Sequence, residues 1–188
     1  MKQQRRPKNK PEHSSKAPSF GAFLFALRFG MDKYFDAVIP APFGAVGIRA
    51  KDDFLIGVEL VPESLPEKLS AEPFVQQVVT QVRAYLQNPA TSLSLPFVVR
   101  GTHFQKRVWQ AIAAIPSGRT LSYGELALKV GSGPRAVANV CGANQVPLFI
   151  PCHRVVSKSG IGGFMQGNEN GLKVKRWLLA HEGGHEYA

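Results

Sequence analysis

The 188-residue chain has few cysteines and no long apolar segment. Cys141 and Cys152 are its only cysteines, and their spacing fits neither a disulfide framework nor a zinc site. No apolar run approaches the roughly 20 residues that cross a bilayer, and the first residues lack the apolar centre of a secretory signal. These absences predict a globular protein that works in a reducing compartment inside the cell and does not involve a membrane.

Acidic residues are also scarce, with 13 Asp and Glu against 23 Lys and Arg. The imbalance is unevenly distributed along the chain. Residues 1–20 carry six basic residues against one acidic, residues 21–99 six against eight, and residues 100–188 eleven against four. The excess predicts a polyanionic partner for the second half in particular, although a solubilising surface charge explains it equally well.

The first half predicts a tail followed by a small α+β domain. Residues 1–18 have no apolar periodicity and predict a disordered tail. Apolar segments separated by turn residues within 34–61 predict an antiparallel β-meander. Residues 72–87 predict an amphipathic helix, and its apolar stripe comprises Phe74, Val75, Val78, Val82, Tyr85 and Leu86. We therefore expect an α+β domain over residues 19–95.

The second half is predicted to be mainly helical, over residues 96–185. Thr102 opens one helix, which ends at Pro116. Ser122 caps a second helix with Glu125 at capping-box spacing, and residues 134–142 predict a third helix after a glycine-rich turn. The last two helices predict a helix-turn-helix, although such pairs also occur in proteins that never contact DNA.

The residues around Cys152 are the most informative part of the sequence. Apolar residues flank this thiol, which predicts that it ends a buried extended segment. Such a thiol is usually inert packing, but His153 beside it can accept the thiol proton, and Glu182, predicted in the final helix, can orient that histidine. Because neighbouring side chains of a strand point to opposite faces, a bridging water between Cys152 and His153 is plausible.

With these residues in place, the second half resembles the O6-alkylguanine-DNA alkyltransferases. The resemblance runs in the family's order through residues 104–109, 122–123, 135–137, 144, 151–155 and 177–183. The string Pro-Cys-His-Arg-Val at 151–155 is highly specific for that family. The first half matches only in its order of strands followed by a helix.

The resemblance implies DNA repair by direct alkyl transfer. The partner would be double-stranded DNA that contains O6-alkylguanine, with the damaged base flipped out of the stack before attack. The alkyl group would pass irreversibly to Cys152, so each molecule would act once, as a monomer and without a cofactor. Because DNA would be the partner, the cytoplasm of a prokaryote and the nucleus of a eukaryote are both open. Some members hold zinc in the first domain, but this chain has no cysteine before Cys141, so we expect no metal.

The resemblance also assigns roles to the catalytic residues. Tyr123 would protonate the leaving guanine at N3, and Asn144 would tie the helix-turn-helix to the active-site strand. His153, a water and Glu182 would lower the pKa of the Cys152 thiol. Arg154 would be a structural ion-pair residue, and Cys141, which has no neighbouring base, would be packing.

DNA and substrate contacts follow from the same resemblance. Arg135 would fill the space that the flipped base leaves, and it would bind DNA together with Ser122, Ala136 and Ala138. The small alanines suit a helix in the narrow minor groove. The substrate pocket would be formed by Arg135, Pro147, Val155, Phe164 and Met165. Glycines between residues 162 and 171 predict a mobile lid, or simply a flexible surface loop.

Three alternatives remain open on the sequence. A non-catalytic alkylguanine sensor would have the same fold, but such sensors replace the cysteine that this chain retains as Cys152. A helix-turn-helix regulator with an incidental thiol is a second alternative. A cysteine hydrolase is the third, although no separate oxyanion-hole motif is evident.

Overall fold

The computed structural model describes residues 34–165 and 169–184, apart from the side chain of Glu169. The predicted tail over residues 1–18, and Gly167 of the predicted lid, lie outside the described residues. From Phe35 onward the chain forms one compact unit. The predicted domain boundary near residue 95 stays a prediction. In the described part of the chain, no helix is both long and apolar enough to cross a membrane.

A three-stranded antiparallel sheet opens the described chain. Its strands are β1 (Ala37–Ala41), β2 (Gly44–Lys51) and β3 (Phe54–Val61), in the spatial order β1-β2-β3. Ile39 pairs with Val46, and Ile48 pairs with Val58. The two strand connections are short because Gly44, Asp52 and Asp53 adopt positive φ angles there. The predicted β-meander is confirmed.

Helix α1 (Pro73–Gln87) packs on this sheet. Glu72, predicted as its first residue, is the N-cap, because Pro73 has the fixed φ that suits the first helical position. The buried face comprises Phe74, Val75, Val78, Val79, Val82 and Tyr85. Leu86, predicted on that face, is only half-buried. The chain leaves the helix at Asn88, before Pro89.

Three helices follow, and they start where their caps predict, although the first ends at Ala113, before the predicted stop at Pro116. Helix α2 (His103–Ala113) starts with a capping box between Thr102 and Gln105. Helices α3 (Tyr123–Lys129) and α4 (Pro134–Gly142) form the predicted helix-turn-helix. Ser122 and Glu125 form the capping box of α3. The indole nitrogen of Trp109 donates to the Val140 carbonyl at 3.1 Å, which fastens α2 to α4.

The segment around Cys152 differs from the extended strand that we expected. Cys152–Arg154 is a single turn of 3-10 helix, closed by bonds from the Arg154 amide to the Pro151 carbonyl and from the Val155 amide to the Cys152 carbonyl. Only the next two residues, β5 (Val155–Val156), are extended, and they pair in parallel with β4 (Leu121–Ser122). Cys152 therefore lies on a turn that is tied to the start of α3.

The last helix of the described chain differs from the sequence prediction at both of its ends. Helix α5 (Glu169–His181) begins inside the predicted 162–171 loop, so residues 169–171 are helical and the loop is shorter than expected. Glu182 was expected in the final helix and lies directly after it. Its amide still bonds the Leu178 carbonyl at 3.1 Å, so the helical hydrogen-bond pattern continues as far as this residue.

The two halves of the described chain share one apolar core. Backbone bonds also join them: the Val58 amide donates to the Gln145 carbonyl at 2.9 Å, and the Leu55 amide donates to the Pro96 carbonyl at 3.0 Å. The Gln145 side chain bonds both the amide and the carbonyl of Arg100. The predicted α+β class is confirmed, with the sheet and α1 packed directly behind the loop that leads to Cys152.

Candidate functional site

Cys152 lies at the first position of the 3-10 turn, and the residue is only 6% exposed. Asn144, just after α4, donates from Nδ2 to the Cys152 sulfur at 3.2 Å and to the Ile150 carbonyl at 2.7 Å. Its Oδ1 accepts from the Val146 amide at 3.1 Å. Asn144 thus connects the end of the helix-turn-helix with the nucleophile, and it contacts the sulfur itself as well as the backbone.

His153 follows Cys152 and is completely buried. Its Nε2 lies 3.1 Å from Glu182 Oε1. Because an ionised carboxylate only accepts hydrogen bonds, this contact assigns the ring proton to Nε2 and leaves a lone pair on Nδ1. The buried Nδ1 has no hydrogen-bond partner within residues 34–165 and 169–184. Burial lowers the pKa of His153, so the ring is neutral at neutral pH.

The Glu182 carboxylate accepts hydrogen bonds from several side chains besides His153. Arg154 donates to both of its oxygens, from Nε to Oε2 at 2.8 Å and from Nη2 to Oε1 at 2.7 Å. The Tyr85 hydroxyl donates to Oε1 at 2.7 Å. Burial opposes ionisation of Glu182, but the hydrogen bonds from His153, Arg154 and Tyr85 outweigh it and lower the pKa of this carboxyl. The predicted ion pair of Arg154 is present.

The expected low pKa of the Cys152 thiol is wrong for the protein without substrate. Burial raises the pKa of Cys152, because the charged sulfur loses more solvation than its neighbours return. The Asn144 hydrogen bond, the charge of Lys175 and nearby backbone amides reduce this increase but do not reverse it. In the protein without substrate, the Cys152 thiol is therefore protonated at neutral pH.

Lys175, which the sequence reasoning missed, is a fully buried cation on α5. Its Nζ donates to the Val155 carbonyl at 2.6 Å and to the Gly163 carbonyl at 3.1 Å. Burial lowers the pKa of Lys175 to about 8. A signal was available, because Val174, Lys175, Leu178, Leu179 and Glu182 are spaced like one helical face. A lysine among core positions is seldom fully buried without a partner or a function.

Tyr123, the first residue of α3, lies beside Lys175, whose Nζ is 5.9 Å from the tyrosine ring centroid. Its hydroxyl donates to the Gly163 carbonyl at 3.2 Å. Burial raises the pKa of Tyr123 to about 12. Gly162 has a φ of +70°, and a Cβ placed on it would lie 2.9 Å from the Tyr123 ring. The glycine therefore leaves the space that this ring occupies.

The other predicted pocket residues lie in two places. Val155 is buried at the end of the turn, and Phe164 is buried with its ring centroid 5.8 Å from Lys175 Nζ. Met165 is half-buried with a positive φ, and Pro147 is half-buried in the loop before the nucleophile. Val155 and Phe164 are thus tied to the Lys175 and Tyr123 cluster by the contacts above. For Pro147 and Met165 the structure gives a position but no such contact.

The predicted DNA-contacting residues lie on the helix-turn-helix. Arg135 is exposed at the second position of α4, while Ala136 and Ala138 are half-buried on the same helix. Ser122 is half-buried, and its hydroxyl is engaged in the α3 capping box. The Arg135 side chain is therefore accessible to a DNA partner. The Ser122 hydroxyl already bonds within the capping box, so a contact from Ser122 to DNA would have to leave those bonds in place.

Cys141 lies near the end of α4 and is half-buried. Burial and the neighbouring Cys152 sulfur raise the pKa of this thiol to about 12. Its side chain packs against the apolar core. These surroundings agree with the expectation that Cys141 is a packing residue.

Comparison with known proteins places this site in a family. A family profile described as "6-O-methylguanine DNA methyltransferase, DNA binding domain" matches residues 103–184. The methylated-DNA-protein-cysteine methyltransferase of Mycolicibacterium paratuberculosis is 32% identical, and the match covers 80% of this chain and 93% of that protein. The crystal structure of Mycobacterium tuberculosis OGT in complex with DNA is 32% identical, with a TM-score of 0.65, over 78% of this chain and 92% of that one.

In other relatives the match covers a smaller share of the protein. The Regulatory protein ada of Salmonella typhimurium is 44% identical over 118 residues, which cover 62% of this chain and 33% of that protein. The chain spans between 33% and 58% of the length of several curated relatives that it matches.

Proposed function

The chain belongs to the methylated-DNA-protein-cysteine methyltransferase family, and from this premise we propose that it repairs DNA by moving an alkyl group from guanine O6 to Cys152. The observation that carries the proposal is the set of polar groups around the thiol. Asn144 donates to the Cys152 sulfur. His153 is next in the chain, Glu182 holds its Nε2, and its buried Nδ1 has no hydrogen-bond partner among the described residues. A sensor or a regulator has no need for a proton acceptor next to a buried thiol.

The reaction begins with removal of the thiol proton. A water bound between Cys152 and His153 carries the proton to the Nδ1 lone pair, because the Nε2 proton is held by Glu182. The resulting imidazolium faces an ionised carboxylate, which stabilises its charge. The Asn144 amide and the Lys175 ammonium stabilise the thiolate. These groups offset the desolvation that keeps the resting thiol protonated.

Transfer is a single displacement at the alkyl carbon. A bond from the Cys152 sulfur to that carbon forms while the bond from the carbon to O6 breaks, and the electron pair of the broken bond remains on the guanine. Tyr123 then donates its hydroxyl proton to guanine N3, after exchanging its present bond to the Gly163 carbonyl for one to the base. The thioether product has no group to release it, so each molecule acts once.

The DNA partner is double-stranded and carries the lesion. O6 of a stacked guanine cannot reach a buried sulfur, so the base must leave the helix before the reaction. Arg135, exposed on α4, occupies the space that the base leaves, and Ala136 and Ala138 allow the helix to approach the groove closely. Since the second half carries most of the net positive charge, binding should weaken steeply as salt increases.

Mass spectrometry of the intact protein tests the proposal. After incubation with duplex DNA that contains O6-methylguanine, we expect the protein to gain one methyl in place of one hydrogen, with the modification on the Cys152 peptide. An undamaged duplex of the same sequence is the control. Binding without a mass gain would identify a sensor or a regulator, and repeated turnover without modified protein would identify a hydrolase.

A further inference from the structure

One oxygen of Glu182 is shared by three donors. Oε1 lies 2.7 Å from the Tyr85 hydroxyl, 2.7 Å from Arg154 Nη2 and 3.1 Å from His153 Nε2. The contact to His153 is thus the longest of the three. Because each donor draws electron density from the same oxygen, the two shorter contacts weaken the pull of Glu182 on the histidine proton.

Tyr85 reaches this oxygen from the first half of the chain, where it belongs to α1. The residue is 2% exposed, so its hydroxyl is isolated from bulk water. His181 fixes the same part of α1, because its Nε2 lies 2.8 Å from the Tyr85 carbonyl and its ring meets the Tyr85 ring at 5.5 Å. The hydroxyl is therefore held in place by its own backbone as well as by Glu182.

We propose that Tyr85 tunes the nucleophile: its hydrogen bond to Glu182 limits the basicity of His153 and so adds to the burial that keeps Cys152 a protonated thiol until substrate arrives. This proposal rests on the alkyl transfer proposed above and concerns the regulation of the same site. A thiol that stays protonated is a poor target for stray electrophiles and oxidants. A protein that is consumed by one reaction benefits directly from that protection.

Tyr85 is the donor that can be removed without leaving a buried charge. Arg154 shares the oxygen, but its loss would leave Glu182 without a counter-charge. Tyr85→Phe keeps the ring and removes only the hydroxyl. The other titratable and charged groups that face Glu182 and His153 stay in place: Arg154 and Cys152 on the turn, and Lys175 and His181 on α5.

The test is the pH dependence of the single-turnover rate with free O6-benzylguanine, which requires no DNA binding. Above the pKa of His153, the neutral pair of thiol and imidazole is in equilibrium with the pair of thiolate and imidazolium. A more basic His153 shifts this equilibrium toward the thiolate. Below that pKa the histidine is already protonated, so its basicity does not change the amount of thiolate. Tyr85→Phe should therefore react roughly threefold faster near neutral pH, the factor expected when an acceptor loses one neutral hydrogen bond. On the acid limb, the rates of the two proteins should coincide.

Val82→Ala is the matched control, since Val82 lies one turn earlier on α1 and is fully buried away from the hydrogen bonds of Glu182. It should lower the melting temperature without raising the neutral rate. If Tyr85→Phe reacts at the wild-type rate or more slowly near neutral pH, the tuning proposal is wrong. The proposed function fails separately if the wild type gains no methyl group from duplex DNA that contains O6-methylguanine. If it gains one but does not react with free O6-benzylguanine, the pH series is run with that duplex.

Discussion

The end of α4 and the turn at Cys152–Arg154 each carry one thiol in an apolar environment, and they differ in the polar groups nearby. Burial raises the pKa of both Cys141 and Cys152. Around Cys152, however, an amide donates to the sulfur and a histidine with an available lone pair comes next in the chain. We infer that Cys152, the proposed alkyl acceptor, is distinguished from Cys141 by neighbours that can take up its proton and stabilise its charge, and not by a low resting pKa.

The strongest test of this comparison removes each of the two sulfur atoms in a separate variant. Cys152→Ala should abolish alkyl transfer, because the acceptor atom is gone, while DNA affinity and folding remain close to wild type. Cys141→Ala should transfer the alkyl group at a rate within about twofold of wild type, since it removes only one sulfur atom from a half-buried position. Peptide mapping after reaction with methylated DNA checks both. A methyl group on Cys141 would reverse the assignment.

A second test removes the charge behind His153. Glu182→Gln should slow transfer by roughly 10²-fold, because the imidazolium loses its carboxylate partner. It should also destabilise the protein by about 3–5 kcal/mol, since Arg154 is left without a counter-charge in a nearly buried site. Single-turnover rates below both melting temperatures separate the two effects. Glu125→Gln makes the same chemical change at an exposed cap and should alter neither quantity.

A third test addresses what the α4 surface contributes. Arg135→Ala should slow repair of duplex DNA by about tenfold, because the flipped base loses the group that occupies its place in the stack. Reaction with free O6-benzylguanine should be unchanged. Arg119→Ala removes another exposed arginine from the second half and serves as the control for general charge. Equal losses on both substrates would assign Arg135 to the pocket or to folding.

The smallest expected effect concerns Lys175, whose charge influences both sulfurs. Its pKa is about 8 in the folded protein, against 10.5 for an ordinary lysine. Between these values the unfolded chain binds more protons, so this residue makes the free energy of unfolding rise as pH increases from about 8 to 10.5. The contribution is lost as pH falls through 8. Lys175→Met should remove this rise, which denaturant titrations at several pH values would detect.

The helices of the second half could be predicted from sequence because their signals are local. Ser122 with Glu125, and Pro134 after a glycine-rich turn, fix helix starts through bonds and backbone angles within a few residues. The β-meander was predictable for the same reason, since turn residues separate its strands. The family resemblance pointed to Cys152, His153 and Glu182, and the structure brings these three together.

The parts that escaped prediction depend on distant contacts. Tyr85 lies 97 positions before Glu182 along the chain, and nothing near Tyr85 in sequence indicates that its hydroxyl meets a carboxylate. Lys175 follows a core pattern, but its acceptors, the Val155 and Gly163 carbonyls, belong to other segments. The pKa of Cys152 was predicted to fall because His153 and Glu182, which favour ionisation of the thiol, are visible in the sequence. The burial that outweighs them is a property of the assembled core.

Gly162 sets a limit on how the substrate pocket can be redesigned. The Tyr123 ring fills the volume that any side chain at position 162 would need, and the positive φ of this residue disfavours every other amino acid. In a saturation library of the loop, selection for transfer should therefore return glycine at 162 almost without exception. Lys158 and Ser159, which are exposed a few residues earlier in the chain, should accept many residues in the same library.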